Sequence, residues 1–284
     1  MKNNKNISNI IMVLPSFLIV FSITAYVVAN TLKESLGLIP ELFLNEITFK
    51  YYAELFADKI FFRSFLYSIF VAFVSSSLSA FFGTYLGYAV SKSRNAFAKI
   101  SYRFPIFLSY VAAAALIYNT YSDNGLLYRI FVFFGFAADD LNIIYNTNGL
   151  AVIILNMFKG IPFIAFSIYP ILLKTDVLYK EVARNLGCTN IVYLIKVLLP
   201  LCKRAILSSA LIIFNYNLFT YEGFYYLGPS NPPSIGVLAY ATYLNPDITH
   251  RASGMAINLV MIAISLLLCF LYYRLLKNEY WEEA

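Results

Sequence analysis

Between Leu150 and Leu173 the chain reads LAVIILNMFKGIPFIAFSIYPILL, in which Lys159 is the only charged residue. A helix needs roughly 20 mostly apolar residues to cross the hydrocarbon core of a bilayer, and this stretch meets that length. Five further runs are comparable: Ile10–Leu32, Phe65–Ser91, Phe104–Tyr121, Ala205–Thr220 and Ala252–Leu276. Phe104–Tyr121 is softened by the alanines 112–115, and Ala205–Thr220 is interrupted by Asn215, Asn217 and Thr220. All are apolar around the whole helix rather than alternating with period two, which excludes barrel strands. The sequence predicts an all-α, polytopic membrane protein with six transmembrane helices.

Composition agrees with the spans. The 284 residues are 60% hydrophobic, 18% aromatic and 13% charged, with a mean hydropathy of +0.70. Soluble domains carry about 25% charged residues, and a disordered chain needs low hydrophobicity, so both classes are excluded. Three cysteines, Cys188, Cys202 and Cys269, are too few for a disulfide-stapled secreted module. The net charge of +6 is not a nucleic-acid footprint, because its cations lie between apolar runs instead of forming one basic face.

Those cations set the orientation. With six spans, one side carries Lys2, Lys5, Lys92, Arg94, Lys99, Arg103, Lys174, Lys180, Arg184, Lys196, Lys203, Arg204, Arg274 and Lys277. The other side carries Lys33, Lys50, Lys59, Arg63, Arg129 and Arg251. The positive-inside rule puts both termini in the cytoplasm of a cell (plasma or inner) membrane. The apolar core of the first span, Ile10 to Ala29, exceeds the 7–15 residues usual for a signal peptide, so it is expected to stay as an anchor. No linker or repeat interrupts the chain, and residues 1–284 are expected to form one transmembrane domain.

The three outer loops, 33–63, 122–149 and 221–251, are rich in aromatics and acids. Phe49–Phe56 reads as a short amphipathic helix at the outer interface. Asp123, Asp139 and Asp140 punctuate the second loop. In the third, Gly228-Pro229-Ser230-Asn231-Pro232-Pro233 cannot be regular helix. The apolar Ile235–Leu244 that follows is too short to span, so it is expected to be re-entrant or interfacial. This side is built to receive something.

Several chemistries are missing. No G-x-x-x-x-G-K-[ST] phosphate loop is present. The single histidine, His250, and the scattered cysteines build no zinc or Cys/His centre with the usual spacings. Paired carboxylates within spans, a mark of proton-coupled pumps, are also absent. The chain is not expected to be an enzyme.

The cytoplasmic loop 174–204 carries the strongest pattern. Val177–Leu186 reads as a short amphipathic helix with Leu178, Val182 and Leu186 on one face. Gly187 supplies the left-handed residue that ends it. Thr189-Asn190 caps a second helix, Ile191–Leu199, which is expected to break at Pro200 before the fifth span. An amphipathic helix of this kind can also simply lie on the inner leaflet with its lysines snorkelling.

As a pattern, the loop is Glu181-Val182-Ala183, three residues, Gly187, nine residues, then Val197-Leu198-Leu199-Pro200. It resembles the E-A-A-x₃-G-x₉-I-x-L-P loop in the membrane subunits of binding-protein-dependent ABC importers, with Val182 and Val197 as departures. Lys159-Gly160-Ile161-Pro162-Phe163, Leu227-Gly228-Pro229 and Ala256-Ile257-Asn258 also look similar to the polyamine, ferric-ion and thiamine branch. The resemblance covers roughly Phe61 to Lys277. It implies a coupling helix between the fourth and fifth spans that docks on a cytoplasmic ATPase. Glu181 and Val182 would meet the ATPase surface, Ala183 would allow close approach, Gly187 would set the turn, and Leu199 and Pro200 would close the motif.

The same resemblance implies an ABC ATPase dimer, a second permease subunit, homologous or identical, and an extracytoplasmic solute-binding protein. The chain itself would hold no cofactor, since ATP and magnesium belong to the ATPase. A stand-alone ion-coupled secondary carrier is the rival reading.

Inside the membrane, a mid-span lysine costs roughly 2.5–3.5 kcal/mol on insertion scales and faces the bundle interior by default. Lys159 therefore either lines a pathway or pairs with backbone near the break that Pro162 introduces. Asn156, Asn215, Asn217 and Glu222 are further candidates to line a polar pathway. Equally, polar groups of this kind hold helices together at ~0.6 kcal/mol each.

Overall fold

Helix follows helix along the chain. A computed structural model describes residues 2–40, 46–135 and 143–281, and among them no β-strand element occurs. The order is α1 (Lys2–Ser35), α2 (Lys50–Ala57), α3 (Lys59–Lys92), α4 (Ala96–Ser101), α5 (Phe104–Phe107), α6 (Tyr110–Tyr121) and α7 (Leu126–Phe133). Then come α8 (Leu150–Asn185), α9 (Asn190–Tyr193), a π-helical turn (Leu194–Leu198) and α10 (Leu199–Phe219). The last are α11 (Glu222–Leu227), α12 (Ile235–Tyr243) and α13 (His250–Trp281). Among the described residues, five helical stretches are long and apolar enough to cross a membrane, and a sixth crossing exists if the bent pair Ala96–Phe107 and Tyr110–Phe133 is one span.

Three elements differ from expectation. The third span is broken: α5 and α6 are the inner parts of the two arms of that bent pair, which meet at 102°. Ser109 caps α6 by accepting a hydrogen bond from the Ala112 amide at 3.1 Å, a polar N-cap that favours starting a new helix over continuing an old one. The expected coupling helix is not a separate element, because α8 runs unbroken from the fourth span through Glu181 to Asn185. Nor does the chain break at Pro200, which lies in the first turn of α10. The ladder there widens into the π turn 194–198 instead, a way to absorb an irregularity without ending a helix. The fifth span accordingly starts at Leu194 rather than Ala205. Asp139 and Asp140 lie outside the described residues.

The chain divides into two compact units. The first comprises residues 1–59 and 238–264. In it, α1 ends in a turn at Gly37, whose φ of +83° suits glycine. The Tyr52 hydroxyl of α2 donates to Ser35 Oγ at 2.6 Å. Arg251 grips both carboxylate oxygens of Glu34, at 3.0 and 3.2 Å, and stacks over Tyr243. The Phe17–Phe21 stretch of α1 is exposed, an apolar surface of the kind that lipid or another membrane chain covers.

The second unit comprises residues 60–237 and 265–284. In it, α3 and α8 approach each other closely. Ser75, Ser79, Gly83 and Gly87 recur every fourth residue on the buried face of α3. A Cβ at Gly83 would stand 2.8 Å from the Ile161 carbonyl oxygen, and one at Gly87 2.8 Å from Ile168 Cδ1. Lipid offers no hydrophobic drive for helices to associate, so close approach along small residues supplies the packing energy. One apolar cluster joins Tyr67 and Val71, Ala113 and Ile117, Val152 and Leu155, and Phe224. A second joins Ile168 and Leu172 to Ala183, Tyr193, Leu198 and Cys202. The two clusters hold the N-terminal and C-terminal parts of α8.

Candidate functional site

Four segments of the second unit line an open cavity of about 330 Å³. Ile106 and Tyr110 come from the two sides of the broken span, Asn156, Lys159 and Phe163 from α8, and Tyr216 and Asn217 from α10. The rings of Tyr110 and Tyr216 meet edge to face with centroids 5.5 Å apart. Aromatic walls with a few convergent polar groups are the usual make-up of a small-molecule site.

The polar groups of this cavity are tied together. The Tyr110 hydroxyl donates to Asn156 Oδ1. Asn217 Nδ2 donates to Ser75 Oγ at 3.0 Å, and Asn156 Nδ2 reaches the same oxygen at 3.5 Å. Ser75 donates in turn to the Ala72 carbonyl at 3.2 Å. A serine hydroxyl has one proton and two lone pairs, and all are used. Ser75 is thus the hub of a network joining α3, α6, α8 and α10. It was not among the expected site residues, although the fourfold spacing of serine and glycine after it marks the buried face of α3.

Lys159 lines the cavity, and its ammonium is engaged. Nζ donates to the carbonyls of Pro105 at 2.8 Å, Ile106 at 3.2 Å, and Leu108. Those carbonyls lie in α5 and in the break that follows it, not in backbone freed near Pro162. The cation is held by a remote element that its own helix faces.

Asn215 is separated from this group. Its Nδ2 donates to Ser265 Oγ at 2.9 Å, and it lines a smaller space of about 110 Å³ with Leu268, Cys269 and Tyr272. Its Oδ1 is buried and has no partner among the described residues. The helical turn explains the split, since Asn215 and Asn217 are about 200° apart around α10. Glu222 opens α11, accepts from Thr220 Oγ1 at 3.2 Å, and lies within electrostatic reach of Tyr110 and Tyr216 without lining the cavity.

At the far end of α8, Glu181 and Val182 are exposed. Ala183 is buried, packed with Tyr193, Leu198 and Cys202 of its own chain. Its small size therefore serves the approach of α9 and α10. The helix ends in a Schellman motif: the Cys188 amide donates to the Ala183 carbonyl at 3.0 Å and the Gly187 amide to Arg184 at 3.0 Å. Gly187 has φ +77°, the left-handed conformation this motif requires. Leu199 and Pro200 begin α10, Pro200 on the exposed side. A polar hollow of about 540 Å³ is lined by Lys180, Ala183, Arg184, Cys188, Thr189 and Tyr193.

Residues 79–279 match the family described as the binding-protein-dependent transport system inner membrane component. The chain belongs to this family. It is a multi-pass inner-membrane permease subunit of an ABC transport system, and not an enzyme. The match leaves open the polyamine, ferric-ion or thiamine branch, because the curated relatives carry another solute's name. The sulfate transport system permease protein CysT of Salmonella typhimurium (strain LT2) is 23% identical over 206 residues, 72% of each chain. CysT of Escherichia coli K12 is 24% identical over 204 residues, 70% of each.

Among solved structures, a bacterial alginate ABC transporter in complex with an alginate pentasaccharide-bound periplasmic protein has a chain with TM-score 0.73 at 16% identity. The match covers 95% of this permease and 93% of that chain. An inward-facing MetNI methionine ABC transporter gives TM-score 0.56 at 16% identity, covering 76% and 94%. These likenesses carry the fold.

Proposed function

We propose that this permease forms the translocation pathway of an importer for a small solute, powered by a separate ABC ATPase dimer that docks on residues 177–200. A second permease subunit, homologous or identical, completes the membrane part, and an extracytoplasmic binding protein delivers solute to the outer loops. Both termini are cytoplasmic. ATP and magnesium act on the ATPase, and this chain forms the pathway as one transmembrane domain.

The observation that carries the reading is the course of α8. One helix lines the cavity with Asn156 and Lys159 and, beyond the span, exposes Glu181 and Val182 before stopping at Gly187. A movement imposed at the exposed end can reach the cavity through a single packed helix, one of the rigid elements that carry coupling between distant sites. The sulfate and alginate systems among the similar proteins make the solute class a matter for direct test.

The test is uptake into right-side-out vesicles from cells producing the whole system. Sulfate is offered first, then a polyamine, ferric ion, thiamine, a phosphonate and a sugar. Uptake of one solute that requires internal ATP and survives a protonophore is the expected result. Uptake that follows a proton or sodium gradient without ATP would replace this reading with the secondary carrier.

A further inference from the structure

The break in the third span creates a problem that Lys159 solves. Helix α5 ends at Phe107 and α6 begins at Tyr110, so the carbonyls at the end of α5 have no helical donor after them. At membrane depth, non-helical backbone is tolerated only where protein or a water-filled cavity surrounds it. An ammonium has three protons to donate. The Lys159 ammonium reaches three carbonyls: Pro105 and Ile106 within α5, and Leu108 in the break itself.

On the other side of the break, Tyr110 donates to Asn156, one turn before Lys159 on α8. Residues three apart on a helix share a face. Helix α8 therefore grips the broken span twice, once before the break and once after it.

We propose that Lys159 is a positioning residue: it fastens the broken third span to α8, so that the wall of the cavity moves with α8 during transport. It follows that Lys159 is not the counter-ion of the solute, since every N–H it has is committed to backbone. An anionic solute of the kind named for the sulfate relatives is not held in this cavity by this lysine. The proposal rests on the importer reading for its consequence in transport, but the tether itself is measurable without it.

The experiment uses the complete transporter in proteoliposomes, with spin labels at the exposed Phe107→Cys and Leu150→Cys in a background freed of Cys188, Cys202 and Cys269. In otherwise wild-type protein the 107–150 distance is expected to stay the same between the nucleotide-free and ATP–vanadate states. With Lys159→Met the distribution should broaden in both states. Uptake should fall about tenfold while ATP hydrolysis stays within about twofold, in the range of coupling changes expected when one link is cut.

Lys159→Arg, which keeps charge and donors, should restore both readouts. Lys159→Gln keeps two N–H donors without the charge and should lie nearer wild type than Met does. It also decides the matter if the Met variant fails to assemble.

An unchanged distance distribution in Lys159→Met, or a Gln variant that keeps the wild-type distance but loses transport of an anionic solute, would overturn the tether in favour of a counter-ion. If wild-type protein shows no ATP-driven uptake, the importer reading fails, and the label distances in nucleotide-free protein still decide the tether.

Discussion

Gly160 of α8 lies so close to Ser79 of α3 that a Cβ at position 160 would stand 2.5 Å from Ser79 Oγ and 2.9 Å from Ser79 Cβ. The contact falls beside Lys159 at the rim of the cavity, so the crossing of the two longest buried helices of this unit also fixes the cavity wall.

Gly160→Ala should therefore be costly although alanine is the better helix former. Overpacking a tight site costs about 1–3 kcal/mol, which should lower the thermal transition of the detergent-solubilised complex, followed by size exclusion after heating. Adding Ser79→Gly should return part of the loss. Additive effects of the two changes would show that the helices do not touch there.

Ser75→Ala tests the polar hub. It strips the acceptor from Asn217 and Asn156 and leaves buried donors unpaired, at about 1–3 kcal/mol. Ser76→Ala is the control, because among the described residues Ser76 bonds only to the Phe73 carbonyl of its own helix. Equal thermal transitions for the two variants would remove Ser75 from its place as hub.

Much of this was legible in the sequence, and what was not has particular physical causes. The apolar length of Leu150–Leu173 and Phe65–Ser91 is enough to define a span, because hydrocarbon thickness sets a minimum run. The turn at Gly187 was readable because a Schellman motif needs a left-handed residue at that point. The end of α8 was not. Lys174 and Asp176 mark where the apolar run stops, but a helix needs no apolar residues to continue into water, and α8 does continue.

The broken third span carried a signal in Ser109, which was outweighed by the apolar residues around it. The partners of Lys159 could not be read locally. Its three carbonyls are more than fifty residues away in sequence, and only the fold brings them together. Ala183 adds a contact that the motif does not show: it packs against Tyr193, Leu198 and Cys202 of its own chain.

Orientation has its own prediction. In a cysteine-free background, a membrane-impermeant maleimide added to intact cells should label a cysteine at the exposed Asp247 and leave one at the exposed Arg184 unlabelled until the cells are opened. Asp247 opens the turn before α13, where Thr249 donates to its carboxylate at 2.7 Å and holds its pKa below the usual range. Labelling of position 184 in intact cells would invert the topology and put the Glu181 surface out of reach of any cytoplasmic ATPase.

On the proposed function, ATP hydrolysis is coupled to the membrane at the exposed end of α8. The most direct test is to extract the tagged chain gently from its own membrane and identify what comes with it, for wild type, Glu181→Lys and Gly187→Val. A stoichiometric ATPase is expected with the wild type, and its loss from both variants while each still inserts in the membrane at normal level. An ATPase recovered in full with both variants would contradict this coupling. So would a chain that emerges alone from several mild detergents.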